Sequence, residues 1–372
     1  MSARHEWLIE PLPTDVVKAL KRLERAPGVK RIAVMPDVHL AKEVCIGTVL
    51  ATDHWIYPAA VGGDAGCGVL AARLSVPADR LQDPAVAAGV LAGFAAHIPV
   101  LKHARASMMP ADLEERRLSH PSLEREKKRT CRVQLGTIGR GNHFVELQAD
   151  DENQLWIMIH SGSRGIGTLI RAHHEAQGER VAGGLKRIHA DSAEGRAYLA
   201  DHQWALDYAE ANRARILQSA LRVLGDSMRA EHVEESTCEC HHNFVRAEEH
   251  GGEALIVHRK GAISALDGEL GIIPGSMGTP SFHVVGRGNR DSMASSSHGA
   301  GRVCSRTEAR SRISTKNLAR QLQNVHYDKR LASRLVDEAP LAYKDIRRVM
   351  KAQKNLVTIR RRLRPLLVHK GT

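Results

Sequence analysis

Apolar residues recur at helical spacing over residues 15–26 (DVVKALKRLERA), and Pro27-Gly28 ends the pattern. A second apolar helix is predicted over 84–98. A long helical span follows over 191–233, with Leu199, Trp204, Leu206, Ile216, Leu217 and Leu221 among its apolar positions. Elsewhere the pattern shortens to β-type runs at 30–35, 45–51, 57–61, 69–74, 254–257 and 281–285. Residues 133–147 (VQLGTIGRGNHFVEL) and 155–170 (LWIMIHSGSRGIGTLI) read as strands joined to glycine loops. Basic helical segments are predicted over 315–337 and 344–355, and the tail 356–372 fits either a strand or a helix.

The glycine-rich loops are spread from residue 36 to residue 301, with no repeat, low-complexity block or linker between them. One site assembled from the whole chain is the economical reading. The pattern therefore predicts an α+β fold, a single compact domain over 1–372 of mixed, largely antiparallel sheets with outer helices. Residues 102–132 are densely charged and interrupted by Pro110 and Pro121, which predicts a charged surface excursion within that domain.

Composition sharpens this picture in three ways. Hydrophobic residues make up 42% of the 372 positions but aromatics only 3%, so the core must be aliphatic. The net charge is +12, and residues 344–370 carry ten Lys/Arg against the single acid Asp345, a polarity suited to a polyanionic partner such as nucleic acid. No run of about 18 apolar residues occurs and the start of the chain lacks an apolar core of the secretory kind, so a cytoplasmic protein without a membrane partner is expected. The six cysteines follow no disulfide-framework spacing and read as thiols or metal ligands.

The chemistry concentrates in residues 271–306. Two clusters of small residues, Pro274-Gly275-Ser276-Met277-Gly278 and Ser295-Ser296-Ser297-His298-Gly299-Ala300-Gly301, flank a short β-type run. Such clusters let backbone amides approach an anion, and Arg302 and Arg306 could hold phosphate by charge and fork geometry. His298 sits inside the second cluster, which points to nucleotidyl or phosphoryl transfer. Ser161-Gly162-Ser163-Arg164-Gly165 resembles a second phosphate nest. Neither a P-loop nor a dinucleotide fingerprint is present.

Asp64 and Cys67 lie three apart in a glycine turn, and His143 and His160 each sit beside a glycine loop, with His242 in the segment CHHN. Together they form a mixed O/S/N donor set suited to a borderline divalent ion, or to two ions sharing the thiolate. The run CECHH matches no well-spaced zinc pattern. Asn142, His143 and Glu146 form another group: Asn can orient a phosphate or ribose oxygen, and Glu can accept from a guanine edge. Taken singly, each of these residues is equally at home in an ordinary turn.

The blocks MPDVHLAKEVCIGTVLAT, GGDAGCGV, LGTIGRGNHFVEL, MIHSGSRGIG, CHHN, RKGAISALDGELGIIPGSMG, SSSHGAGRVCSR and HKG, in this order, make the chain resemble the RtcB family of RNA 3′-phosphate ligases, the tRNA-splicing ligases, over nearly its whole length. The resemblance implies a GTP-dependent ligase in which His298 attacks the α-phosphate of GTP. GMP then passes to an RNA 3′-phosphate, and the 5′-OH of a second end displaces it. A 2′,3′-cyclic phosphate would first be opened by hydrolysis. It implies two Mn²⁺ ions, one held by Asp64, Cys67 and His143, the other by Cys67, His160 and His242. Guanylate contacts are implied for Asn142, His143, Phe144, Val145, Glu146, His242, Asn243, Pro274, Gly275, Ser276, Met277, Ser281, His298, Gly299, Ala300, Gly301 and Lys370.

Some blocks depart from the family's usual form. Its VDIGCG reads GDAGCG at residues 63–68, and a PGKG-like segment reads Leu40-Ala41-Lys42-Glu43. These changes bear on the RNA substrate, tRNA exons or a damaged RNA, and the resemblance leaves room for an activating protein. Two other readings accommodate the same residues. One is a metal-dependent phosphoesterase or nuclease with no covalent histidine, and the other is a basic RNA-binding protein with a structural metal.

Overall fold

The computed structural model describes residues 2–371. A seven-stranded sheet runs in the order His232–His241, Gly68–Pro77, Gln154–Ser161, Phe144–Ala149, Val357–Lys370, Ser281–Gly286 and Leu270–Ile273. All its pairings are antiparallel. A five-stranded sheet is ordered Ala3–Glu6, Val29–His39, Ile46–Thr52, Glu253–Lys260 and Asn243–His250, with only its first pair parallel. The α+β class with largely antiparallel sheets is therefore the observed one.

The central strands read as almost unbroken apolar runs because both of their faces are covered. On one face Val145, Leu147, Ile157 and Ile159 pack with Ile216, Ala220 and Leu224 of the helix Ala193–Met228 and with Val90 and Phe94 of the helix Pro84–His97. The longer helix begins where Ser192 accepts from the Gly195 amide and ends at Arg229, whose φ of 58° is left-handed. Asp83 caps the shorter one, with Pro84 in its first turn.

Several elements differ from the sequence reading. Residues 57–61 are no strand: Pro58–Ala60 forms a 3₁₀ turn, since proline supplies no ladder donor. The second glycine-loop unit continues as a helix, Gly165–Gln177, whose buried Ile166, Ile170 and His174 lie four apart. The first unit opens on a helical turn, Arg132–Gln134, before its strand. The helix expected over 191–233 stops at Met228, and His232 already belongs to a strand. The span 315–337 breaks into the helix Thr315–Gln321 and short turns, while the tail is the strand Val357–Lys370. Within 102–132, most charged residues lie towards solvent while Leu113, Leu118, Leu123 and Cys131 pack against Trp204 and Tyr208, and Lys127 is buried with its Nζ donating to the Glu114 and Arg116 carbonyls. Among the described residues no helix is long and apolar enough to cross a membrane.

Candidate active site and metal centre

Five donors converge where strands of the two sheets meet. The turn after Pro58–Ala60 carries Asp64 and Cys67, and Gly66, with φ of 70°, supplies the left-handed step between them. Its amide donates to the Asn243 carbonyl at 2.9 Å. Gly162 faces the Asp64 carboxylate so closely that a Cβ there would collide with it. His143 and His160 sit at the ends of neighbouring strands, and His242 lies at the corner between His232–His241 and Asn243–His250, its amide bonded to the Cys67 carbonyl at 2.8 Å.

The ring orientations follow from their other hydrogen bonds. His143 Nδ1–H donates to the Ile138 carbonyl at 2.9 Å and His160 Nδ1–H to the Asn142 carbonyl at 3.2 Å. Both Nε2 atoms are then lone pairs, and both face Cys67 Sγ, at 3.2 and 3.3 Å. His160 Nε2 also lies 3.0 Å from His242 Nε2, and His143 Nε2 lies 3.0 Å from Asp64 Oδ2. The other Asp64 oxygen is buried without a partner. So many acceptors with so few protons among them is the signature of a cation site.

Electrostatics agrees. Burial, and then the Asp64 charge, pushes the Cys67 thiol well above its ordinary value, so it ionises only beside a cation. Burial, and then the neighbouring imidazoles, holds His160 and His242 far below the usual histidine range, which keeps them neutral as ligands. Cys67, His143 and His160 bring their donor atoms within 4.8 Å of one another. The residues present fit the mixed-donor ion that the sequence points to.

Next to this cluster lies a cavity of about 220 Å³ that His298 lines. The rings of His298 and His242 are 4.8 Å apart between centroids. His298 Nδ1–H donates to Asp37 Oδ2 at 2.6 Å, which leaves Nε2 as the nucleophilic lone pair. Asp37 is completely buried at the end of the strand Val29–His39. Lys344 fixes that strand end, its Nζ donating to the carbonyls of Pro36 at 3.2 Å and Val38 at 2.7 Å.

Of the nucleotide-contact residues expected from the sequence, Asn142, Phe144, Glu146, Pro274, Gly275, Ser276, Met277, Ser281, Gly299, Ala300, Gly301 and Lys370 line the same cavity as His298. Others stand apart from its wall. His143 and His242 belong to the donor cluster, and the Val145 side chain points into the core because strand residues alternate faces. Asn243 ties the site together instead, donating to the Asp64 carbonyl at 3.1 Å and accepting from the Gly261 amide at 2.9 Å. Glu146 is buried, and this pushes its carboxyl up to about 8 against the opposing Gln148 bond and Lys370 charge. Ser281 joins the same group through Gln148, whose amide lies 2.6 Å from Glu146 and 3.2 Å from Ser281.

Arg302 and Arg306 reach the cavity, but they are not free: buried Glu338 pairs with Arg306, with Lys370 Nζ at 2.5 Å and with Arg302 at 3.5 Å. It also accepts from the Tyr343 hydroxyl at 2.9 Å. Burial opposes its ionisation, yet Lys370 and Arg306 hold the Glu338 carboxyl below the usual range. Arg164 adopts φ 61° and ψ −146°, a glycine-type conformation, with its guanidinium 3.5 Å from His143 Nδ1.

An imidazole with an open Nε2 beside a mixed O/S/N donor cluster, at the wall of a glycine-lined cavity, can be set against known proteins. The sequence model of the family described as "tRNA-splicing ligase RtcB" matches residues 19–121 and 106–371. The RNA-splicing ligase RtcB of Escherichia coli K12 is 38% identical over 97% of this chain and 95% of its own length. The RNA-splicing ligase RtcB2 of another Escherichia coli strain is 31% identical, covering 96% and 92% respectively. The RNA-splicing ligase RtcB of Mycobacterium tuberculosis is also 31% identical, over 93% of this chain and 98% of its own.

The chain belongs to the RtcB family. Relative to that family's usual blocks, the Leu40–Glu43 variation falls beside the cavity rather than in it: of this neighbourhood only His39 and Ile46 line the wall. The residues that sequence reasoning passed over are Asp37, Glu338, Tyr343 and Lys344. The signal for Asp37 was a lone acid in an otherwise apolar strand end, written PDVH. Glu338 and Tyr343 stand in a stretch, residues 336–343, that offers no local pattern.

Proposed function

We propose that this RtcB-family RNA ligase works through a guanylated histidine, joining RNA 3′-phosphate or 2′,3′-cyclic phosphate ends to 5′-OH ends. The observation that carries this reading is the His298–Asp37 bond, which presents Nε2 to the cavity beside the metal cluster. Asp37 keeps the proton on Nδ1 and steadies the imidazolium character that develops as Nε2 attacks the α-phosphorus of GTP. A P–N bond forms and the bond to pyrophosphate breaks. An RNA 3′-phosphate oxygen then takes the GMP, breaking P–N. The 5′-OH oxygen finally attacks the RNA phosphorus and expels GMP, and a cyclic phosphate must first be hydrolysed.

Divalent ions bound by Asp64, Cys67, His143, His160 and His242, Mn²⁺ by the family resemblance, would neutralise phosphate oxygens. The chain's own residues do the rest. Glu146 would accept from the guanine edge, and Asn142 and Lys370 would fix the base and ribose side. The amides around Gly275 and Gly299 would cradle phosphate. Repair of cleaved RNA and tRNA splicing both fit this chemistry, and a cytoplasmic setting suits it.

The test is incubation with α-labelled radioactive GTP and Mn²⁺. Wild type should take up label that is stable to alkali and labile to acid. His298→Ala should take up none, and Asp37→Asn should label slower by about a hundredfold or more. Absence of label on folded, metal-loaded wild type would overturn the mechanism in favour of a metal-dependent phosphoesterase.

A further inference from the structure

Two of the cavities outside the site lie side by side. A large groove of about 860 Å³ lies between the helix Pro84–His97 and the segment 315–332, with Arg364 and Leu366 of the strand Val357–Lys370 in its floor. A second groove of about 320 Å³ shares Ala88, Leu91, Tyr327 and Lys329 with the first and ends at His369 and Lys370. Lys370 also lines the nucleotide cavity. One strand thus lines all three cavities, and Lys370 stands between the second groove and the cavity of His298. The walls of the two grooves carry Lys316 and Lys329, which pair with no carboxylate among the described residues, against Asp79 and an Asp328 already bonded to Arg330.

From Arg364 in the groove floor outward, the same strand presents Arg364, Arg362 and Arg360 to solvent. None of the three has a carboxylate partner among the described residues, unlike Arg361, which bonds Asp150 at 3.2 Å and lies over Trp156. Unpaired cations in a row carry a self-repulsion that a polyanion would relieve. With about 3.3 Å of rise per residue, Arg364 lies roughly 20 Å from Lys370 and Arg360 roughly 33 Å. A polynucleotide tail of a few residues covers that distance.

We infer that the groove along the strand Val357–Lys370 is the track for the single-stranded tail of an RNA whose end reaches the nucleotide cavity. This rests on the ligase reading for the identity of the polyanion. Phosphates would follow Lys329, Lys316, Arg364, Arg362 and Arg360 in turn. Affinity would follow charge and length, and the amides of Gln82, Asn153, Gln323 and Asn324 in the groove would supply any base preference.

The test is binding of fluorescent oligoribonucleotides, without GTP, over a series of salt concentrations. The triple variant Arg360→Ala, Arg362→Ala, Arg364→Ala should bind a long single strand about tenfold more weakly at moderate salt, with the slope of log K against log salt reduced by about 2. Affinity for a trinucleotide should not move. The triple Arg→Lys variant should keep the wild-type slope, because a phosphate track reads charge rather than fork geometry. All three positions are exposed, and an unchanged unfolding midpoint would confirm that the variants fold. Equal long-strand affinity and slope in wild type and the alanine variant would overturn the inference. Because binding is read without GTP, the outcome does not depend on whether the RNA is joined.

Discussion

The two sides of the neighbourhood of His298, the donor cluster and the cationic wall of its cavity, solve opposite electrostatic problems. On the metal side, acceptors crowd one another: Cys67 Sγ faces two imidazole lone pairs and one Asp64 oxygen has no partner. On the far side, cations are matched by the protein's own carboxylates: Glu338 pairs with Lys370, Arg306 and Arg302, and Asp337 with Arg306 and Arg310. The first wall is incomplete without a cation. The second has its charges matched, with one buried Arg302 Nη2 left without a partner, so a bound phosphate must share cations that already have carboxylates. Lone-pair crowding therefore marks where a ligand is required, and ion-pair density does not.

Breaking the balanced wall should cost the most stability. Glu338→Gln leaves Lys370 and Arg306 facing an amide at a site where Glu338 is only 4% exposed. The expected loss is about 3 kcal/mol of unfolding free energy in denaturant titrations, because a buried charge loses its counter-ion. Excess inorganic phosphate should restore part of that loss in the variant and little in wild type. If phosphate stabilises both equally, the carboxylate is not what balances these cations.

The metal wall should show the reverse behaviour. Wild type should gain about 2.7 kcal/mol when Mn²⁺ is present at a hundred times its dissociation constant, and a chelator should remove the gain. Cys67→Ala should lose most of that metal-dependent gain and lose less stability without metal, since it removes a crowded donor. A variant as responsive to Mn²⁺ as wild type would exclude Cys67 as a ligand.

The smallest effect sharpens the comparison at Glu146, which sits between the two walls. Its carboxyl is raised to about 8, so it contributes stability that is present below the ordinary carboxylate value and lost as pH rises through about 8. Guanine N1–H and N2–H need the ionised form as acceptor. GMP affinity measured without metal should therefore climb about tenfold between about pH 6.5 and about pH 8.5, and Glu146→Gln should flatten the profile. A profile already flat in wild type would remove Glu146 from base recognition.

Much of the donor cluster was legible because glycine turns announce where the backbone must bend, and Asp64, Cys67, His143 and His160 each stand in or beside one, whereas His242 stood out only in the polar run CHHN. The cradle around His298 was legible for the same reason. What escaped were contacts that depend on tertiary pairing. Asp37 meets His298 across 261 positions of sequence, and Glu338 meets its cations from a segment with no periodicity. The helix Gly165–Gln177 was hidden by its two early glycines, although tertiary burial of Ile166 and Ile170 outweighs their low propensity. Val145 was drawn in by its neighbours in the block NHFVE, while strand alternation turns its side chain to the core.

The strand Val357–Lys370 lies between Phe144–Ala149 and Ser281–Gly286, in the interior of its sheet. On a ribosome, both flanking strands emerge long before it. A nascent chain must hold that slot open, with two unpaired strand edges exposed, until the strand that carries Lys370 to the His298 cavity arrives. Synthesis order thus leaves the main sheet open until this late strand arrives, and the interval before closure exposes the chain to aggregation or to a chaperone.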